Sequence, residues 1–159
     1  DQFAATGLYT STAPTNSVFS LGTNGVVNAD GKTYISYVFS PVEGYSAFGS
    51  YEGNGNTGGD GPFVYTGFRP AFILIKVYSG GESNFHIFDT TRSTTNPLNL
   101  ALFPDLNNQE ATETANLVDA FSNGFQLRAT GNGTNNGAYS YVYYAVAENP
   151  FQANGGLAR

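Results

Sequence analysis

Asp89 and Arg92 stand three residues apart at the end of the run Asn84–Asp89 (NFHIFD). At that spacing a carboxylate and a guanidinium can meet through two parallel hydrogen bonds. Two uses of such a pair stay open: a polar clamp on a sugar hydroxyl, or a structural pin for the polar loop Thr90–Asn99. His86 is the only histidine, and strand alternation puts it on the opposite face from Asp89. That geometry argues against a His–Asp dyad, and a solvent-exposed histidine is expected. No G-x-S-x-G turn, no H-E-x-x-H and no cysteine is present, so nucleophilic and metal-hydrolase chemistry lack their parts.

Paired carboxylates could hydrolyse a glycoside. The acidic residues Glu43, Glu52, Asp60, Asp89, Asp105, Glu110, Glu113 and Glu148 are scattered, mostly in loops, and fix no separation. No enzymatic role is expected. Asn54, Asn56 and Asp60 offer oxygen atoms for calcium but only one full charge, without EF-hand spacing. They are read as turn formers, and neither metal nor cofactor is expected. Tyrosine supplies the remaining chemistry: Tyr51, Tyr65, Tyr78, Tyr139 and Tyr143 fall near loop ends or on the less apolar side of their strands. There a ring can stack on sugar C–H groups while its hydroxyl meets a polar atom, or it can simply fill a core. The ligand-binding set read from the sequence is Asp89, Arg92, Tyr51, Asn54, Asp60, Tyr65 and Tyr78.

These groups need a frame, and its centre is Ala71–Tyr78 (AFILIKVY). Gly67–Pro70 before it and Ser79–Gly81 after it are turn formers, so the run reads as a central strand rather than a helix. Further strands are expected at Ser17–Gly22, Thr33–Ser40, Ala47–Glu52, Asn84–Asp89, Gly124–Ala129 and Tyr139–Ala147, with another short one within Asp1–Asn16, before the Pro14 turn. Thr23–Lys32, Gly53–Pro62 and Thr130–Gly137 are Gly/Asn-rich loops, and Asn107–Val118 is the one candidate helical turn.

Composition agrees with an all-β chain. Six basic residues face twelve acidic ones and only 11% of the 159 residues are charged, which speaks against a nucleic-acid partner. Polarity comes from Asn, Thr, Ser and 20 Gly; 11 Tyr and 13 Phe supply core volume. No run approaches the length of a membrane span, so membrane insertion is not expected. With no methionine anywhere, position 1 included, the residues read as a processed product or a piece of a longer chain.

Two stretches look like copies. Phe19-Ser-Leu21, a Gly/Asn loop and Tyr34-Ile-Ser-Tyr37-Val-Phe39 recur as Phe125-Gln-Leu127, a similar loop and Tyr141-Val-Tyr-Tyr144-Ala-Val146, at offsets of 106 (125 − 19) and 107 (141 − 34). Glu43 and Glu148 look repeat-equivalent, which favours a turn role for both. Residues 47–159 then form a complete module with a short C-terminal tail, and residues 1–46 are either the last third of a preceding repeat or N-terminal strands completing the sandwich.

In order, Tyr34–Glu43 (YISYVFSPVE), Gly53–Pro62, Thr66–Lys76 (TGFRPAFILIK), Phe88–Arg92 (FDTTR), Asn123–Phe125 and Tyr141–Phe151 (YVYYAVAENPF) resemble a repeated β-rich module of phage tail-fibre and other virion-surface proteins. The resemblance spans roughly residues 34–151 and brings no catalytic residues with it. It implies a jelly-roll-like or lectin-like antiparallel β-sandwich on a virion surface, in an extracellular setting. It further implies a homo-oligomer, a trimer by analogy with fibres, that binds a host-surface polysaccharide or glycan. A structural spacer and a polysaccharide depolymerase are the other roles open to such a module.

Overall fold

In the computed structural model, residues 13–57 and 60–150 are described. The chain divides into two units after Phe39. The turn Val42–Ser46 belongs to the second. The Val42 amide bonds the Ser46 carbonyl, and the Ala147 amide bonds the Tyr45 carbonyl, which ties that turn to the second unit.

In the second unit the described residues, 40–57 and 60–150, form an all-β antiparallel sandwich. The strands are β1 (Ser46–Glu52), β2 (Phe63–Tyr65), β3 (Pro70–Ser79), β4 (His86–Asp89), β5 (Leu100–Ala101), β6 (Ala111–Thr112), β7 (Val118–Phe121), β8 (Gly124–Leu127) and β9 (Ser140–Ala147). One sheet has the order β1-β9-β3-β4, a second β2-β8-β7, and β5 pairs with β6 alone. The run Ala71–Tyr78 is therefore an inner strand, as its apolar sequence requires. Proline opens β3, where its missing N–H costs no inner ladder bond.

Register decides what each strand buries. Ala47, Ala145, Ile73 and Phe88 lie side by side across the large sheet, followed by Gly49, Tyr143, Ile75 and His86, then Tyr51, Tyr141 and Val77. From these rows Ile73, Ile75, Val77, Phe88 and Tyr141 form one core with Val64, Val118, Ala120, Phe125 and Leu127 of the small sheet, while Ala145 and Ala47 pack with Phe68 in a second cluster. Ile73, Ile75, Phe88, Phe125, Leu127 and Tyr141 are wholly buried, each adding roughly 1.5–3 kcal/mol by leaving water. The free edge of β7 is covered by the Asn96 side chain, whose Oδ1 accepts from the Ala120 amide and whose Nδ2 donates to its carbonyl, both at 3.0 Å. An amide side chain thus imitates a strand and closes an edge otherwise open to pairing.

Several sequence expectations change. Asn107–Val118 holds no helix but β6 and the start of β7: Ala111 pairs with Ala101 across strands, and Ala115 lies in a bend. Among the described residues of the first unit the only regular element is α1 (Gly25–Asn28), inside the expected loop Thr23–Lys32, where the Asn24 side chain caps the Val26 amide. Ser17–Gly22 and Thr33–Ser40 are not strands. Their apolar alternation has no neighbouring strand to pair with among the described residues. The short strand expected before the Pro14 turn falls on residues 1–12, outside the described residues. No helix among the described residues is long and apolar enough to cross a membrane.

Candidate functional site

The residues singled out in the sequence do not converge. Asp89 Oδ1 accepts from the Thr91 and Arg92 amides at 3.1 and 2.8 Å, and Oδ2 accepts from Arg92 Nε at 2.5 Å. Arg92 also donates to Glu110 Oε2 at 2.7 Å and to the Ile87 carbonyl at 3.4 Å. Burial pushes the Asp89 carboxyl up, yet the Arg92 amide and guanidinium outweigh it and hold the group below the ordinary carboxylate range. The guanidinium is in turn held above its usual value: burial opposes this, and the bonds to Glu110 and Asp89 overcome it. These polar atoms are used inside the chain, fastening the turn after β4 to the segment before β6.

Tyr51 is turned inward. Its ring stacks on Tyr141 at 5.0 Å, and its hydroxyl donates to the Thr134 carbonyl at 2.7 Å. Burial first, then the neighbouring Tyr141, lifts its phenol well above the ordinary value. Asn54 is likewise engaged: Nδ2 donates to the Asp60 carbonyl at 2.7 Å, and Oδ1 accepts from the Asn56 amide at 2.9 Å and from Asn135 Nδ2 at 3.2 Å. Asn135, itself fully buried, returns a bond through Oδ1 to the Asn54 amide. The Gly-rich loop 53–62 is thereby laced to the Thr/Gly/Asn loop 130–137, a structural use of residues read as turn formers. Tyr78 sits at the irregularity between Val77 and Ser79, partly exposed.

His86 corrects the expectation of exposure: it is buried. Position 86 shares the inner face with Phe88, and a Cβ on Gly133 would lie 2.2 Å from the imidazole Cε1, so only glycine leaves room for the ring. Burial lowers the imidazole pKa, while the Asn84 carbonyl, 3.0 Å from Nδ1, acts in the opposite direction. The imidazole is a core group.

Asn54, Asp60 and Tyr78 reach the surface as well, but Tyr65 is the most exposed tyrosine of the set, at 68%, and it belongs to a group the sequence did not single out. Phe63 and Tyr65 leave the outer face of β2, because Val64 between them takes the core side. Tyr65 pairs with Gly124, which pairs with Phe121 of β7; Phe63 pairs with Gln126, which pairs with Asp119. Phe63 is 47% and Phe121 37% exposed, with ring centroids 6.1 Å apart. A Cβ on Gly124 would fall 2.8 Å from Phe63 Cζ and 2.2 Å from the Val64 carbonyl oxygen. Glycine at the centre thus lets the aromatic groups gather into one platform on the small sheet.

Polar groups border it. Arg128 Nε meets Asp119 Oδ2 at 3.2 Å, while buried Asp119 Oδ1 has no hydrogen-bond partner among the described residues. Burial pushes the Asp119 carboxyl up, opposed in part by Arg128. On the other side Tyr65 walls a cleft of about 360 Å³ with Glu43, Ser46, Thr66 and Phe68. Glu43 therefore lines a cleft, whereas Glu148 pairs with Arg69 Nε at 3.0 Å. A larger cleft of about 570 Å³ beside Lys76 and Asn84 has no exposed aromatic wall, and its lysine already donates to the Ser83 carbonyl. Among the described residues no three or more His, Cys, Asp or Glu side chains gather to hold a metal.

The signal for this platform lay in PFVYTGF, where Phe63 and Tyr65 alternate with Val64. It was hidden because three residues are too few for a clear strand pattern and Phe121 joins only through register.

Comparison with known proteins gives the class and goes no further. The chain belongs to the family described as a domain of unknown function (DUF7483), whose profile matches residues 1–150. No curated protein and no solved structure matches it.

Proposed function

We propose that this chain is a non-enzymatic receptor-binding module of a virion appendage, and that it holds a host-surface glycan on the outer face of its small sheet. The observation that carries this reading is the exposed platform of Phe63, Tyr65 and Phe121 around Gly124, bordered by the Asp119–Arg128 pair and the Glu43–Thr66 cleft. Ring faces accept the C–H side of a sugar, and the polar border meets its hydroxyls. Such shallow sites bind weakly, with dissociation constants on the order of millimolar, about −4 kcal/mol. Several copies on one appendage convert this into useful avidity. The virion setting is supported by the resemblance in the motifs from Tyr34 to Phe151.

A glycan array of bacterial surface polysaccharides, probed with an artificially multimerised chain, tests the proposal. Binding should appear for the intact chain and fall about tenfold for Tyr65→Ala and for Phe121→Ala, about 1.4 kcal/mol each. Equal binding by both variants would refute it, as would release of reducing ends, which would make the module a depolymerase. A structural role in building the appendage is the second reading, favoured by the exposed apolar segment 33–39.

A further inference from the structure

The two sequence copies share more than residue types. Tyr141 Oη accepts from the Asn136 amide at 2.7 Å and donates to the Asn132 carbonyl at 3.0 Å. In the first unit Tyr34 Oη accepts from the Ala29 amide at 2.9 Å and donates to the Gly25 carbonyl at 2.8 Å. All three positions differ by 107 (141 − 34, 136 − 29, 132 − 25). The turns beneath them match as well. Thr134 and Asn135 amides bond the Gly131 carbonyl, and Val27 and Asn28 amides bond the Asn24 carbonyl, again 107 apart. Residues 24–34 thus build the same phenol-stapled loop as residues 131–141.

The surroundings of the two copies differ completely. Phe125, Leu127 and Tyr141 are wholly buried, whereas Phe19, Leu21 and Tyr34 are exposed. Val142, Tyr144 and Val146 lie on an inner strand between β1 and β3, but Ile35, Tyr37 and Val38 are 81%, 80% and 72% exposed and belong to no sheet among the described residues. Asn135 is fully buried and ties down loop 53–56, while its counterpart Asn28 is exposed. A loop formed to hold a central strand is present, and residues 35–38 after it pair with no strand among the described residues. Two strands alone are at best marginal in water, and a row of exposed aromatic and β-branched residues is suited to a ladder.

We propose that residues 17–39 are the β8–β9 arm of a second copy of this module, and that residues 34–39 insert between the β1 and β3 strands of that copy. The partner is a copy whose own β9 position is open. Equivalence fixes the register: Tyr34, Ser36 and Val38 take the inward positions of Tyr141, Tyr143 and Ala145, while Ile35, Tyr37 and Phe39 take the outward ones of Val142, Tyr144 and Val146. Asn28 then supplies the amide that Asn135 supplies to loop 53–56. Modules are joined in line, each completed by the arm that leads into the next, with the boundary between Phe39 and Ser40.

Amide hydrogen exchange tests this on two chains. In the 159-residue chain, residues 35–39 exchange at least a hundredfold faster than 142–146. In a two-module chain, residues 40–124 are joined to Phe19 so that residues 19–39 replace 125–146 of the first module. There residues 35–39 become protected to within about tenfold of 142–146, and Tyr34→Phe lowers the denaturation midpoint of the first module as Tyr141→Phe does in the second. Protection of 35–39 already in the single chain would overturn the proposal. So would a two-module chain in which 142–146 are protected and 35–39 are not, or one in which Tyr34→Phe changes nothing.

Discussion

Removing the Tyr141 hydroxyl should destabilise the sandwich by about 2 kcal/mol. The phenol is wholly buried, stacks on Tyr51 and carries two hydrogen bonds that close loop 130–137 over the end of the core. Tyr141→Phe keeps the ring and its packing but orphans one backbone donor at Asn136 and one acceptor at Asn132. The Asn132 residue is exposed, so water can serve its carbonyl; Asn136 is half-buried, so its amide bears more of the loss. A net loss of about 0.5–1.5 kcal/mol for each bond, larger where the group stays dry, gives roughly 1.5–2.5 kcal/mol. Burial already shows in the phenol pKa, pushed up to about 12. With a urea slope of about 2 kcal/mol/M for a domain of this size, the midpoint should fall by about 1 M. The matched change Tyr34→Phe, in an exposed copy of the same staple, should cost under about 0.5 kcal/mol, because water replaces both partners. Urea unfolding followed by tyrosine fluorescence reads both variants. A Tyr141→Phe midpoint within about 0.2 M of the parent would refute the assignment of the loop as a dry, phenol-stapled lid.

Three further predictions follow from single contacts. Gly124→Ala brings a methyl group against the Val64 carbonyl and forces β2 from β8; a loss of roughly 2 kcal/mol in chemical denaturation, together with weaker glycan binding, is expected. Asp89 has a depressed folded pKa, so its contribution is complete above the ordinary carboxylate range and is lost as pH falls through the folded value. Asp89→Asn should cost about 1 kcal/mol at neutral pH and flatten the acid limb of a stability–pH curve, leaving glycan binding at neutral pH unchanged. His86 works through a lowered pKa: the unfolded chain takes up its proton first, so stability falls as pH drops from about 6.5 toward the folded value. His86→Phe should remove that slope, as read by thermal unfolding at pH 5, 6 and 7.

Much of the frame was legible from residue order. Ala71–Tyr78 had the length, β-branching and turn flanks of an inner strand, and alternation in NFHIFD placed His86 and Asp89 on opposite faces correctly. Exposure of His86 was misread because alternation gives two faces without saying which is inside, and the decisive neighbour, Gly133, is 47 residues away (133 − 86). Thr33–Ser40 has as good a strand pattern as β9, yet a strand requires a partner, and pattern alone carries no information about whether one is at hand. For the candidate site the sequence offered polar and aromatic types near loops. Most of them, Tyr51, Asn54, Asp89 and Arg92, bind other parts of the chain instead, since loops of Asn and Gly need side-chain bonds to hold their shape. Tyr65 is the residue common to the sequence reading and the platform. Its companions Phe63 and Phe121 become neighbours only through the β2-β8-β7 register.

Where a bound sugar touches the chain is the most direct test of the aromatic platform as a glycan site. Amide chemical-shift mapping should be made with an oligosaccharide taken from a polysaccharide that the chain captures. Its largest changes should fall at Phe63, Tyr65, Phe121, Gly124 and the Glu43–Thr66 cleft, with Asp89, Arg92 and loop 53–62 silent. Changes centred on Asp89, Arg92 or that loop, with the platform unmoved, would contradict it.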